Sequence, residues 1–212
     1  MTELRDYEEW HKAYDDPNSG LSWRLGIVQQ VIERFLDGHS GPIRVLSSCA
    51  GDGRDLLEVL VGRADADRVT ATLVELHPPL ADQARASAAG TTAHIQVRTA
   101  DAGISGSYLD AVPADLVLLV GIFGNISDAD IERLITTTPQ FCNEGATVIW
   151  TRGRDPVDRN DFVRETFRDA GFSEISYVTN DIDSLLPAVG VAQYGGEPQS
   201  LVMGQRLFSF LR

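Results

Sequence analysis

From residue 43 onward, short apolar runs alternate with helical patterns, and this alternation limits more than any other feature what the chain can fold into. Two parallel strands need a crossover between them, and a helix is the usual one, so repeated strand–helix–strand units point to an α/β fold with a mostly parallel sheet. The apolar runs predict strands at 43–48, 70–75, 94–98, 115–120, 146–150 and 173–178, with a final strand over Leu207 to Leu211. Between them, one helical face is formed by Leu56, Leu57, Leu60 and Val61, and another by Leu80, Ala81, Ala84 and Ala88. Ile131, Leu134 and Ile135 form a third, and Phe162, Val163, Phe167 and Ala170 a fourth. Each set recurs at the helical period.

Ahead of these units, Leu21, Leu25, Val28, Ile32, Phe35 and Leu36 fall on one face of a helix over 21–37, with Gly38 where a helix would stop. Residues 1–20 are polar but carry Tyr7, Trp10, His11 and Tyr14, which predicts an arm with aromatic anchors. The stretch from Asn180 to Gln205 holds Pro187, Pro198 and Gly195-Gly196, so it is expected to be a long irregular excursion that covers a site. The expected organisation is one domain over 1–212, with a helical arm or lid at 1–38 and a core at 43–212. A chain of 212 residues can bury such a core without disulfide or metal staples.

The net charge of −13 sets a repulsive mean field against a polyanion, so nucleic acid is disfavoured as a partner. Cys49 and Cys142 are far apart and lack ligand spacing, which argues against a disulfide framework or a metal site. No apolar run approaches the ~20 residues that span a bilayer, and the first residues lack a basic cluster followed by an apolar stretch. The expectation is a cytoplasmic protein with no membrane segment. Oligomeric state is left open.

Four segments carry candidate chemistry. In the first, the run Val45 to Ser48 enters the small-residue turn Cys49-Ala50-Gly51-Asp52-Gly53 and then a helix, which lets backbone N–H groups face a ligand closely. In the second, Glu75 ends the next strand, followed by Leu76, where a carboxylate can accept from both hydroxyls of a ribose. In the third, Asp101-Ala102 follows the third strand, and its carboxylate could accept from the exocyclic amine of an adenine. In the fourth, the continuously apolar run Leu116 to Val120 reads as a central strand buried on both faces. Beyond it, Gly121 and Gly124 permit close approach, Phe123 can cover a cofactor or belong to the core, and Asn125 can point at a substrate. Ser127, three residues before Asp130, reads as a helix cap.

Taken together, these segments resemble motifs I to IV of class I S-adenosylmethionine (SAM)-dependent methyltransferases, over residues 43–178 and in the correct order. The resemblance implies a Rossmann-like three-layer sandwich, a seven-stranded, mostly parallel sheet with an antiparallel last strand. It implies that Cys49, Ala50, Gly51, Asp52 and Gly53 face the methionine part of SAM, that Glu75 and Leu76 sit at the ribose, and that Asp101 and Ala102 sit at the adenine. Gly121 and Phe123 complete the expected cofactor site. Two positions depart from the family pattern: Ser47 stands where an acidic residue is usual and Cys49 where glycine is usual. Asp52 is the candidate replacement carboxylate.

Methyl transfer from a sulfonium is an in-line displacement that alignment and water exclusion can accelerate, so no conspicuous catalytic residue is required. On the acceptor side the candidates are His11, Tyr14, Asn125, Arg152 and Tyr194, around a small-molecule substrate. Two other readings stay open. A nicotinamide-dependent dehydrogenase would also use Glu75, although Asp55-Leu56 stands where a third glycine would close G-x-G-x-x-G. A non-catalytic SAM-binding protein is the other, given Ser47 and Cys49.

Overall fold

The computed structural model describes residue 14 and residues 16–182 and 184–211. His11 and the other anchors of the expected arm ahead of Tyr14 lie outside the described residues. The described elements run in order as α1 (Gly20–Gly38), β1 (Ile43–Ser48), α2 (Arg54–Val61), β2 (Val69–Glu75), α3 (Pro78–Ala88), β3 (His94–Thr99), β4 (Ala114–Leu119), α4 (Asp128–Thr137), β5 (Cys142–Gly153), α5 (Asn160–Asp169), β6 (Phe172–Thr179) and β7 (Pro187–Tyr194). Among the described residues, no helix is long and apolar enough to cross a membrane.

The strands form one seven-stranded sheet in the order β3-β2-β1-β4-β5-β7-β6. The pairings from β3 to β5 are parallel, and β7 runs antiparallel to both β5 and β6. Successive side chains of a strand point to opposite faces, and here each face has its own core. Val45, Leu116, Leu118 and Ile149 pack with α1, α2 and α3, whereas Leu46, Val117, Leu119 and Val148 pack with α4 and α5. The continuous apolar run of β4 is therefore the signature of a strand covered on both sides. Helix ends follow their local chemistry: Ser19 caps α1 by accepting from Ser22 N–H at 3.1 Å, and Ser127 caps α4 by accepting from Asp130 N–H at 3.1 Å.

The sheet departs from the expected one at its last strand. The antiparallel strand is Pro187–Tyr194, inside the stretch expected to be irregular, and residues 207–211 form no strand. Of the residues that suggested a break, Pro187 lies in this strand, and Gly195-Gly196 and Pro198 follow it. Pro187 is its first residue, where the sheet tolerates a missing donor. At Gly190 a Cβ would lie 2.1 Å from the Trp150 ring, so only glycine admits the indole between neighbouring strands. The tail at 205–211 meets the rest of the chain by an isolated bridge between Ile104 and Arg206 and by bonds from Leu207 N–H to Gly103 O (2.8 Å) and Leu211 N–H to Asn125 O (2.9 Å).

Candidate functional site

A cavity of about 290 Å³ opens at the carboxyl ends of β1, β2 and β4, where doubly wound sheets place their ligands. The turn after β1 forms its floor. Ala50 N–H donates to Val74 O at 3.0 Å and Gly53 N–H to Ala50 O at 2.9 Å, which folds residues 49–53 back over β2. Cys49, Ala50, Gly51 and Asp52 all line the cavity. Cys49 holds a φ of 55°, a left-handed conformation that costs a residue with a Cβ roughly 1–2 kcal/mol. Its thiol is pushed up first by burial and then by the Glu75 charge, which disfavours the thiolate that a nucleophile needs.

Gly53 serves the fold rather than the cavity wall. It is the N-cap of α2 with a φ of 77°, and a Cβ there would meet the side chains of Leu57 at 2.7 Å and Leu73 at 2.8 Å. It lets α2 sit close to β2.

Glu75, at the last position of β2, is only 9% exposed and lines the cavity. Its Oε2 accepts from Gly51 N–H at 2.8 Å and its Oε1 from His77 N–H at 2.7 Å, so one carboxylate ties the first turn to the second. Each oxygen keeps lone-pair capacity for a ligand hydroxyl. Leu76 is exposed and lines the same opening. After β3, Asp101 Oδ1 accepts from Gly103 N–H at 2.8 Å and Oδ2 from Arg206 Nη1 at 2.8 Å, and Asp101 and Ala102 both line the cavity. Beneath them, the buried Tyr108 hydroxyl donates to Ala102 O at 2.5 Å. It has one proton, so the Ser48 hydroxyl, 2.7 Å away, is the donor in their contact. Tyr108 thereby links the end of β1 to the turn after β3.

Beyond β4, Gly121 (φ 75°) and Asn125 line the cavity, with Asn125 Nδ2 donating to Gly121 O at 2.8 Å. Phe123 faces the other way. It is fully buried against Trp150 and Phe167 in the α4–α5 core, so its role is packing, not covering a ligand. Tyr194 is likewise a core residue, packed on Phe172 with its hydroxyl donating to Glu197 O at 3.0 Å, because β7 carries it into the sheet. Arg152, near the end of β5, is half-buried outside the cavity lining; burial lowers its pKa, and its Nη2 donates to Val157 O at 3.5 Å. Of the acceptor-side candidates with described positions, Tyr14 and Asn125 meet at the cavity and Arg152 and Tyr194 do not.

Several lining residues gave no signal in the sequence. Arg24 comes from α1 and donates from Nη2 to the Tyr14 hydroxyl, while the Arg54 guanidinium lies 4.5 Å from the centre of the Tyr14 ring. Asp55, on the first turn of α2, also lines the cavity, and burial pushes its carboxyl up to about 6. Asp52, the expected replacement carboxylate, is held by Arg54, whose Nε lies 3.0 Å from Oδ1 and 2.8 Å from Oδ2. Phe208 and Phe210 also line the cavity. Their apolar alternation was legible, but it suggested a strand.

Compared by sequence alone, the chain matches no family model and no curated protein. Compared by structure, it is similar to magnesium protoporphyrin IX methyltransferase from Synechocystis PCC 6803 with bound SAM, at a TM-score of 0.69 and 13% identity over 91% of this chain and 92% of that one. The fold is that of the class I SAM-dependent methyltransferases. Precorrin-6y C5,15-methyltransferase from Geobacter metallireducens (TM-score 0.57, 13% identity, 81% of this chain and 87% of that one) shares the methyltransferase fold. So does the fibrillarin pre-rRNA processing protein of Methanococcus jannaschii (TM-score 0.56, 16% identity, 74% and 68%).

Proposed function

We propose that this protein is a SAM-dependent methyltransferase acting on a small-molecule acceptor. The observation that carries the reading is the convergence of the Cys49–Asp52 turn, Glu75 and Asp101 on one cavity at the carboxyl edge of the sheet. Turn N–H groups, a carboxylate at a strand end and a second carboxylate one strand over match a ligand with polar ends, two ribose hydroxyls and an exocyclic amine. The lining also fits in charge, because Asp52, Asp55, Glu75 and Asp101 outnumber Arg24 and Arg54 around the space. When bound there, SAM supplies a methyl group on a positively charged sulfur.

The chain's own part is to align and to exclude water. Glu75 and the Gly51 turn hold one another in place, Asp101 is fixed by Gly103 N–H and Arg206, and Phe208 and Phe210 present an apolar wall. Tyr14 and Asn125, which line the cavity, are the candidates to orient an acceptor. A small acceptor fits the cavity volume and the net charge of −13; RNA, the class suggested by the fibrillarin neighbour's name, would meet that charge unfavourably.

Calorimetric titration with SAM, S-adenosylhomocysteine, NAD and NADP, followed by an acceptor screen, tests this. Binding of the two adenosyl ligands alone is expected. Glu75→Ala removes two hydrogen bonds to a charged acceptor, each worth ~1.5–3 kcal/mol, so affinity should fall by about 100-fold or more. Unchanged affinity in that variant would remove the ribose assignment. Tight SAM binding with every acceptor class inert would instead favour the non-catalytic reading.

A further inference from the structure

The four carboxylates around the cavity are not equivalent. Glu75 accepts from two backbone N–H groups, Asp101 from Gly103 N–H and Arg206, and Asp52 from Arg54. Asp55 differs: its Oδ1 is buried, and among the described residues no donor reaches it. Opposite in charge, Arg24 lines the same cavity from α1 and is only 6% exposed. Ser47, where the family resemblance places an acidic residue, is buried and absent from the cavity lining. Asp52, the expected replacement for the carboxylate missing at Ser47, is already engaged by Arg54.

We propose that Asp55 and Arg24 form an α-amino-acid subsite, in which the Asp55 carboxylate accepts from the ligand's α-ammonium and Arg24 faces its α-carboxylate. This rests on the SAM reading above and assigns the methionine end of that ligand. An amino-acid zwitterion presents one cation and one anion a few bonds apart, and a cavity lined by one group of each sign, Asp55 and Arg24, is complementary to it. An acceptor buried without a donor is destabilising until a donor arrives, and an ammonium supplies one together with the charge that a desolvated carboxylate lacks.

The electrostatics give the subsite a pH signature. Burial is the largest influence on Asp55; Arg24 and Arg54 oppose it, Asp52 and Glu58 add to it, and the Tyr14 ring packs beside them. The balance places the carboxyl at about 6. Asp55 is thus ionised at pH 7 and largely protonated at pH 5, while an α-ammonium stays charged across that interval. Affinity for a ligand with the amino-acid part should rise between pH 5 and pH 7, and affinity for one without it should not.

Calorimetry on the full chain can separate these terms, using S-adenosylhomocysteine and 5′-methylthioadenosine, which lacks the amino-acid part. Asp55→Asn is expected to weaken S-adenosylhomocysteine by about 10- to 100-fold, the range of one charge-assisted hydrogen bond. It should leave 5′-methylthioadenosine within about twofold, the span left to a change that touches no contact of that ligand. The pH dependence of wild-type binding needs no substitution and provides the second measurement. Equal affinity of wild type and Asp55→Asn for S-adenosylhomocysteine would overturn the subsite, as would parallel weakening of both ligands or a pH profile identical for the two. If wild type binds neither adenosyl ligand, the SAM reading itself fails, which is a different result from loss of discrimination between them.

Discussion

One wall of the cavity is made of the turns that leave β1, β2 and β3, each within a few residues of its strand and held by bonds such as Gly51 N–H to Glu75. The second wall is formed by Phe208 and Phe210 of the tail at 205–211, which has no regular structure and reaches the site from far along the chain: Arg206 meets Asp101 across 105 positions. The first wall is held because each turn starts at a strand of the sheet, and the first two run directly into the helices α2 and α3. The second depends on side-chain burial, with Leu207 and Phe208 inserted in the α4–α5 core and Phe210 left 39% exposed. Local backbone geometry shapes the first wall, and packing shapes the second.

That contrast can be broken most directly at Phe208. It is 1% exposed, so Phe208→Ala should destabilise the fold by about 3–5 kcal/mol, read by urea unfolding. A loss under about 1 kcal/mol would mean that the tail is not anchored by this ring. Gly103 is where the two walls touch, and a Cβ there would lie 2.4 Å from the Phe208 carbonyl oxygen. Gly103→Ala should therefore cost about 1–3 kcal/mol and displace the tail, lowering affinity for S-adenosylhomocysteine as well. Stability lost with binding intact would separate the tail from the ligand.

The smallest effect tests the first wall. Cys49 sits at a φ of 55°, so Cys49→Gly relieves left-handed strain at the cost of a more flexible unfolded chain, and a net gain up to about 1 kcal/mol is expected in thermal unfolding. A loss would show that the thiol's packing outweighs the backbone strain.

The same contrast explains what could be read ahead of the structure. Strands β1 to β6 and helices α1 to α5 announce themselves through short-range periodicity, because a residue's burial in a two-faced sheet follows its position in the element. Glu75 was legible for a related reason: a residue that ends β2 is carried to the carboxyl edge whatever the rest of the chain does. Tyr194 and Phe123 show the limit. Each stands near segments that carry chemistry, yet which way its side chain turns depends on neighbours such as Phe172 and Phe167, which sequence distance does not reveal.

By itself, the sequence determined the βαβ order, the buried central strand and the turn-then-carboxylate spacing after β1 and β2, because these rest on period, propensity and chain length. Only the tertiary structure decided that Pro187–Tyr194 is the antiparallel strand, that Phe208 and Phe210 line the cavity, and that Asp55 rather than Asp52 has a buried oxygen that no donor among the described residues reaches. The first two outcomes turn on groups from far along the chain that share one space, the Trp150 ring beside Gly190 and the Phe208 carbonyl over Gly103; the third turns on the direction of the Arg54 side chain, which engages Asp52 two residues away. A contact between residues far apart in sequence is an agreement between two surfaces, and neither segment encodes it alone.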